Sequence, residues 1–107
     1  MRPLRIIPTH ALILRYDIQA GIQETYFRYV IGEFVPAMQE MKLYMQEAWQ
    51  VVYGEYPERQ VEFITDDLEH IRRLLESERW HKLEERLKSY TLNYHRQIVR
   101  YSGRFKV

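Results

Sequence analysis

The sequence predicts an α+β fold of order βαββαβ, a four-stranded antiparallel sheet with both helices on one face. Three observations predict it. Four segments alternate apolar and polar residues with period two. Two longer segments carry apolar stripes at steps of three and four. A short Gly- and Pro-containing link joins the second strand to the third, as an antiparallel hairpin requires.

The first strand is predicted over His10 to Ile18, with Leu12, Leu14, Tyr16 and Ile18 on one face and Ala11, Ile13, Arg15 and Asp17 on the other. Ala20-Gly21 marks a turn. The first helix is predicted over Ile22 to Met41, with a stripe of Phe27, Val30, Ile31, Phe34, Met38 and Met41. Pro36 removes a backbone donor and crowds the preceding turn, so it is expected to kink or split the helix and to open a final turn or two from Ala37 to Met41. The second strand is predicted over Leu43 to Tyr53, with Met45, Glu47, Trp49, Val51 and Tyr53 sharing a face. Gly54 to Glu58 supplies turn residues, and Val61 to Thr65 reads as the third strand. Asp66, three residues before Glu69, is the expected cap of the second helix, whose stripe is Leu68, Ile71, Leu74 and Leu75. The stripe breaks at Ser77-Glu78 and restarts at Trp80, Leu83, Leu87 and Tyr90, so Ser77 is expected to cap a second segment or mark a kink. The last strand is predicted over Tyr94 to Tyr101, with a short extension from Arg104 to Val107.

Composition narrows the function classes. A length of 107 residues suits one domain, 1–107, with residues 1–8 as an extended arm holding Pro3 and Pro8. The absence of cysteine excludes disulfides, thiolate metal sites and a cysteine nucleophile. A net charge of +1 gives no sign of nucleic-acid binding. The tail is locally basic through Arg96, Arg100, Arg104 and Lys106. A phosphate site is one reading of it, and a solvated strand edge guarded by basic side chains is the plainer one. No apolar stretch is long enough to span a membrane, and the first residues lack a signal peptide's apolar region, so a cytoplasmic protein is expected.

The two strand faces predict an oligomer. Two helices cover one face of a four-stranded sheet, yet Ala11, Ile13, Ala48 and Val52 show that both faces are partly apolar. At roughly 25 cal/mol per Å² of apolar area, covering several hundred Å² contributes several kcal/mol. A twofold homodimer, sheet facing sheet, would do this. Arg15, Asp17, Glu47 and Trp49 on the less apolar face suit a partly polar pocket between two sheets; the plainer reading is that they lie at strand ends.

Leu14 to Gly21, the Gly54 turn leading into Gln60-Val61-Glu62-Phe63, Asp67-Leu68 and Ser77-Glu78-Arg79-Trp80 together resemble the NIPSNAP-like domains of the dimeric α/β-barrel superfamily, over residues 10 to 101. The chain departs from that pattern in carrying Pro57-Glu58-Arg59 before the third strand and Arg72-Arg73 after it. The resemblance implies a ferredoxin-like domain paired as a dimeric α/β barrel. It also implies scattered functions, among them cofactor-independent monooxygenases acting on aromatics, haem-degrading enzymes and isomerases. Fold alone does not choose among these.

Candidate chemistry is sparse. His10, His70, His81 and His95 form no pair at helical ligand spacing, and Glu78-Arg79-Trp80-His81 is a lone Glu-x-x-His, so no metal site is expected. A single histidine suffices for haem, but no cofactor is expected. Nine tyrosines and two tryptophans either line a pocket for a flat aromatic ligand or reflect ordinary sheet composition. Arg15, charged in mid-strand, needs a partner or a polar cavity, which Asp17 or an anionic ligand would supply. The expected site therefore comprises Arg15, Asp17, Trp49 and Tyr53, with Arg15, His10 and Tyr53 as catalytic candidates. As an enzyme the chain would hold its substrate between sheet and helices, lined by Arg15, Trp49, Tyr53 and His10. As a non-catalytic dimeric scaffold it would pack its aromatics tightly, without a cavity.

Overall fold

The computed structural model describes residues 7–53 and 56–101, with the backbone alone for 47–53 and 56–58. The expected arm falls outside these residues except for Ile7 and Pro8, and the expected Arg104–Val107 extension lies wholly outside them.

The order is β1 (His10–Ile18), α1 (Gln23–Tyr29), a π turn (Val30–Phe34), α2 (Val35–Glu40), β2 (Tyr44–Tyr53), β3 (Tyr56–Thr65), α3 (Leu68–Glu76), α4 (Glu78–Lys88) and β4 (Thr91–Arg100). The strands form one antiparallel sheet in the order β2-β3-β1-β4. The α+β expectation holds, and the helices cover one face. Leu12, Leu14 and Tyr16 of β1 and Val61 and Phe63 of β3 share a buried cluster with Tyr26, Phe34, Met38, Ile71, Leu74, Trp80 and Leu87 from the helices.

Four local readings are corrected, while the expected division of the first helix at Pro36 is present, with α2 opening at Val35. The chain widens into a π turn just before it, and Pro36 sits in the first turn of α2, where its missing N–H and its ring are tolerated. Met45 and Glu47 do not share a face: the register slips between them, so Met45 lies opposite Phe63 and Glu47 opposite Glu62. β3 begins at Tyr56 rather than Val61, so residues 56–58 of the expected turn belong to the strand, and Gly54 and Glu55 lie outside the described residues. Pro57 is accommodated there because pairing with β1 reaches only to Arg59. The cap of α3 is Asp67, whose carboxylate accepts from Glu69 N at 3.0 Å, one residue later than expected. β4 starts at Thr91, ahead of the predicted Tyr94, and a bulge carries it past Asp17 with Asn93 at φ 56. The helix after α3 matches the reading: Ser77 Oγ accepts from Trp80 N at 3.1 Å and starts α4 as a separate helix.

Candidate functional site

The helix-side face of β1 ends in a cluster of phenols. Tyr16 continues the apolar alternation of Leu12 and Leu14 and is 1% exposed. Its hydroxyl meets that of Tyr26, one turn into α1, at 2.5 Å. Tyr94 of β4 stacks on Tyr16 with centroids 6.2 Å apart and rings 13° from parallel. Tyr94 donates to Glu84 Oε2 at 2.9 Å, and Arg96 donates to the same oxygen at 2.7 Å, so α4 fixes the tilt of the stack. Arg59 of β3 lies directly across the ladder from Tyr16. Its guanidinium sits 5.0 Å above the Phe27 ring.

Burial sets the protonation of this cluster. It pushes the phenols of Tyr16, Tyr26 and Tyr94 above the ordinary value of 10.0. At Tyr26 the hydrogen bond from Tyr16, the nearby Arg59 charge and a hydrogen bond from Arg59 pull the other way, less strongly than burial raises it. At Tyr94 the Glu84 carboxylate adds to the rise. These phenols are therefore donors at neutral pH and not bases.

A donor inventory then leaves a surplus. Each phenol brings one O–H, and the Tyr16–Tyr26 contact uses only one of the two. Arginine brings donors alone. The Arg59 Nε is buried and has no hydrogen-bond partner among the described residues. Among the described residues the Arg59 Nε–H and one of the two phenolic O–H groups are left without an acceptor, while Arg59 also bonds to the Tyr26 hydroxyl. Phe27 and Arg59, at the margin of the cluster, are only partly buried.

Of the expected site residues, Arg15, Asp17 and His10 do not converge on this cluster. Arg15 and Asp17 lie on the opposite, open face of the sheet, so Arg15 cannot line a space between sheet and helices. The alternation of β1 decides this, because its even residues are the ones buried under the helices. Asp17 accepts from Asn93 Nδ2 at 2.8 Å across the bulge. His10 is five residues from Arg15, roughly 16 Å along the strand, with Nδ1 3.0 Å from Thr9 Oγ1. The backbone sets Trp49 opposite Gln60 and Tyr53 opposite Tyr56, and their side chains lie outside those described. What does stand beside Arg15 is His95, its cross-strand neighbour. Ile13, Arg15, His95, Arg96 and Gln97 line a hollow of about 260 Å³ there.

Tyr26 and Arg59 went unread in the sequence, although a signal existed. Tyr26 is four residues before Val30 on the helix stripe. Arg59 falls on the alternation of Val61 and Phe63 once the third strand is extended backwards, which places a charge on a buried face. No group of three or more metal-ligating side chains comes together among the described residues. No helix among them is long and apolar enough to cross a membrane.

No protein-family model matches the chain, nor does any curated protein sequence. Solved structures do. A NIPSNAP family protein with unknown function from Agrobacterium tumefaciens superposes with a TM-score of 0.64 at 16% identity, covering 92% of each chain. The fold is NIPSNAP-like and ferredoxin-like. A dimeric ferredoxin-like protein from an uncultured marine organism shares this NIPSNAP-like fold, with a TM-score of 0.59 at 15% identity over 94% of each chain. A Deinococcus radiodurans protein assigned as an antibiotic biosynthesis monooxygenase gives 0.56 at 12% identity, over 92% of this chain and 95% of its own.

Proposed function

We propose that the protein is a homodimeric small-molecule-binding protein, built like the cofactor-independent monooxygenases, that takes a flat aromatic ligand at the Tyr16–Tyr26–Arg59 cluster. The observation that carries this reading is the donor surplus. One phenolic O–H of the Tyr16–Tyr26 pair and the Arg59 Nε–H, whose guanidinium lies over the Phe27 ring, are without an acceptor among the described residues. A ligand carbonyl, quinone or phenolate oxygen supplies that acceptor, and Phe27 offers its body a stacking partner. Neutral phenols and a guanidinium would stabilise negative charge on that ligand oxygen. The homodimer is part of this reading. Its support is the partly apolar open face, where Leu92 is 54% exposed, and the dimeric protein of the same fold. A cytoplasmic home belongs to it too.

The scaffold reading has one observation in its favour: Tyr16, Tyr26, Phe34 and Trp80 are each at most 2% exposed, as in a packed core. A thermal-shift screen of aromatic ketones, quinones and phenols separates the two. The proposal expects a compound that raises the melting temperature of the native chain and loses that effect in Tyr26→Phe and Arg59→Met. If no such compound emerges, the scaffold reading stands.

A further inference from the structure

Taking the Tyr16–Tyr26–Arg59 cluster as a ligand site, as proposed above, we infer that its ligand is an aromatic ring bearing a flexible alkyl tail, and that the tail lies in a groove along α1 and the π turn. Glu24, Phe27, Arg28, Ile31 and Gly32 line this groove, which holds about 480 Å³. It exists because the helix buries a face rotated from the stripe read in the sequence. Tyr26, Tyr29 and Val30 turn inward. Phe27 is left at the margin and Ile31 is 69% exposed, although both belong to the stripe. The two are four residues apart, so they neighbour each other along the helix. Gly32 adds bare backbone, and a Cβ placed on it would meet nothing within 4 Å. Ile31 and Gly32 both lie in the π turn, a rare winding that recurs at functional positions.

Two features select an alkyl tail. The charged residues of the lining are committed to each other, Arg28 bonding Glu24 at 2.9 Å, which leaves Phe27, Ile31 and Gly32 as the surface on offer. Phe27 also belongs to both sites. Its ring meets that of Tyr26 edge-on at 5.0 Å and carries the Arg59 guanidinium at 5.0 Å. A molecule whose oxygen takes the donors of the cluster therefore has the groove one side chain away. The groove is too small to seat a protein, since five residues line it and a stable interface uses about 20–30 on each side.

Acetophenone, butyrophenone and hexanophenone are the probes, because they share one aromatic ketone and differ only in chain length. Each is titrated into the native chain while the Ile31 methyl and Gly32 amide resonances are followed by NMR. Full burial of a methylene is worth about fourfold in affinity. A groove covers the tail on one side only, so hexanophenone should bind about tenfold more tightly than acetophenone. The Ile31 and Gly32 resonances should shift with hexanophenone and stay in place with acetophenone. Gly32→Leu places a side chain in open space, replaces a poor helix former and fills the groove, so it should bring hexanophenone down to the affinity of acetophenone. The inference is overturned, with the reading of the cluster intact, if acetophenone binding depends on Arg59 while chain length adds nothing. It is overturned too if hexanophenone still shifts Ile31 and Gly32 with undiminished affinity in Arg59→Met, which would make the groove a separate site. Resonances that move with protein concentration alone would mark a contact between copies and overturn it as well. If none of the three ketones binds, the cluster is no site for an aromatic ketone and the tail falls with it.

Discussion

The two faces of this sheet are made by alternate residues of the same strands, and they end in opposite conditions. On one, Leu12, Leu14 and Tyr16 are buried to within 1% under the protein's own helices. On the other, Arg15, His95 and Gln97 face outward in a hollow, while Ala11 and Ile64 are nonetheless buried. The helix-side face is complete in packing and incomplete in hydrogen bonds, with Arg59 Nε and Trp80 Nε1 buried without partners among the described residues. The open face has polar groups in reach of solvent and no helix over it among the described residues. Stability should thus reside on the first, and whatever comes and goes should act on the second or at the rim of the first.

The comparison breaks first at Trp80. Its indole is fully buried and lies against Phe34 at 6.1 Å between centroids. Trp80→Ala removes that packing and leaves a cavity, which costs about 3–5 kcal/mol. Urea denaturation should show the loss as a lower midpoint or an unfolded chain. Glu84→Ala comes next. It strips Tyr94 and Arg96 of a shared acceptor, and hydrogen bonds to a charged group are worth about 1.5–3 kcal/mol. If Glu84→Ala proves silent in the same assay, the stack on Tyr16 is held by packing alone.

The features legible in the sequence are those that depend on neighbours a few residues away. The alternation of β1, the hydroxyl cap at Ser77 and the stripe of α4 were all readable, because local spacing and one capping group decide them. What escaped depends on long-range register. A one-residue slip moves a side chain to the other face, and the slip between Met45 and Glu47 did that to the predicted face of β2. The backward extension of β3 made Arg59 a helix-side residue. His95 became the neighbour of Arg15 only through the β1–β4 register, which no pattern within β4 reveals. Arg15 was singled out for being charged in mid-strand. That charge is tolerated because the strand has an open face, so the oddity marked a face and not a place under the helices.

Tyr26→Phe sharpens the helix-side half. It removes one phenol from a pair that has a donor to spare, so the expected cost is only about 0.5–1.5 kcal/mol. The pH dependence follows from the same residues. Burial holds the Tyr16, Tyr26, Tyr29 and Tyr94 phenols above their ordinary 10.0. Below that value both folded and unfolded chains keep these protons, and the contribution is flat. Above it the unfolded chain releases them while the folded chain does not, so stability falls as pH rises, by up to about 1.4 kcal/mol per unit for each tyrosine. Urea midpoints measured from pH 8 to 11 should stay level and then drop, and Tyr16→Phe should make the drop shallower. A midpoint already falling through pH 8 to 9 would mean that these phenols are not buried in solution.

The smallest expected effect on folding is the most informative about the open face. Leu92 lies opposite Asp17 and is 54% exposed. Substitution of an exposed residue usually changes stability by no more than about 0.5 kcal/mol, so Leu92→Asp should leave the urea midpoint of a dilute sample unchanged. At high concentration the native chain and the variant should part. If a second copy covers this face, mass action raises the melting temperature of the native chain with concentration. In the variant a charge must then be buried against an apolar surface, and the rise should vanish along with the dimer in sedimentation. A melting temperature independent of concentration in both proteins would leave the open face bare, and the contrast between the two faces would then be one of solvent alone.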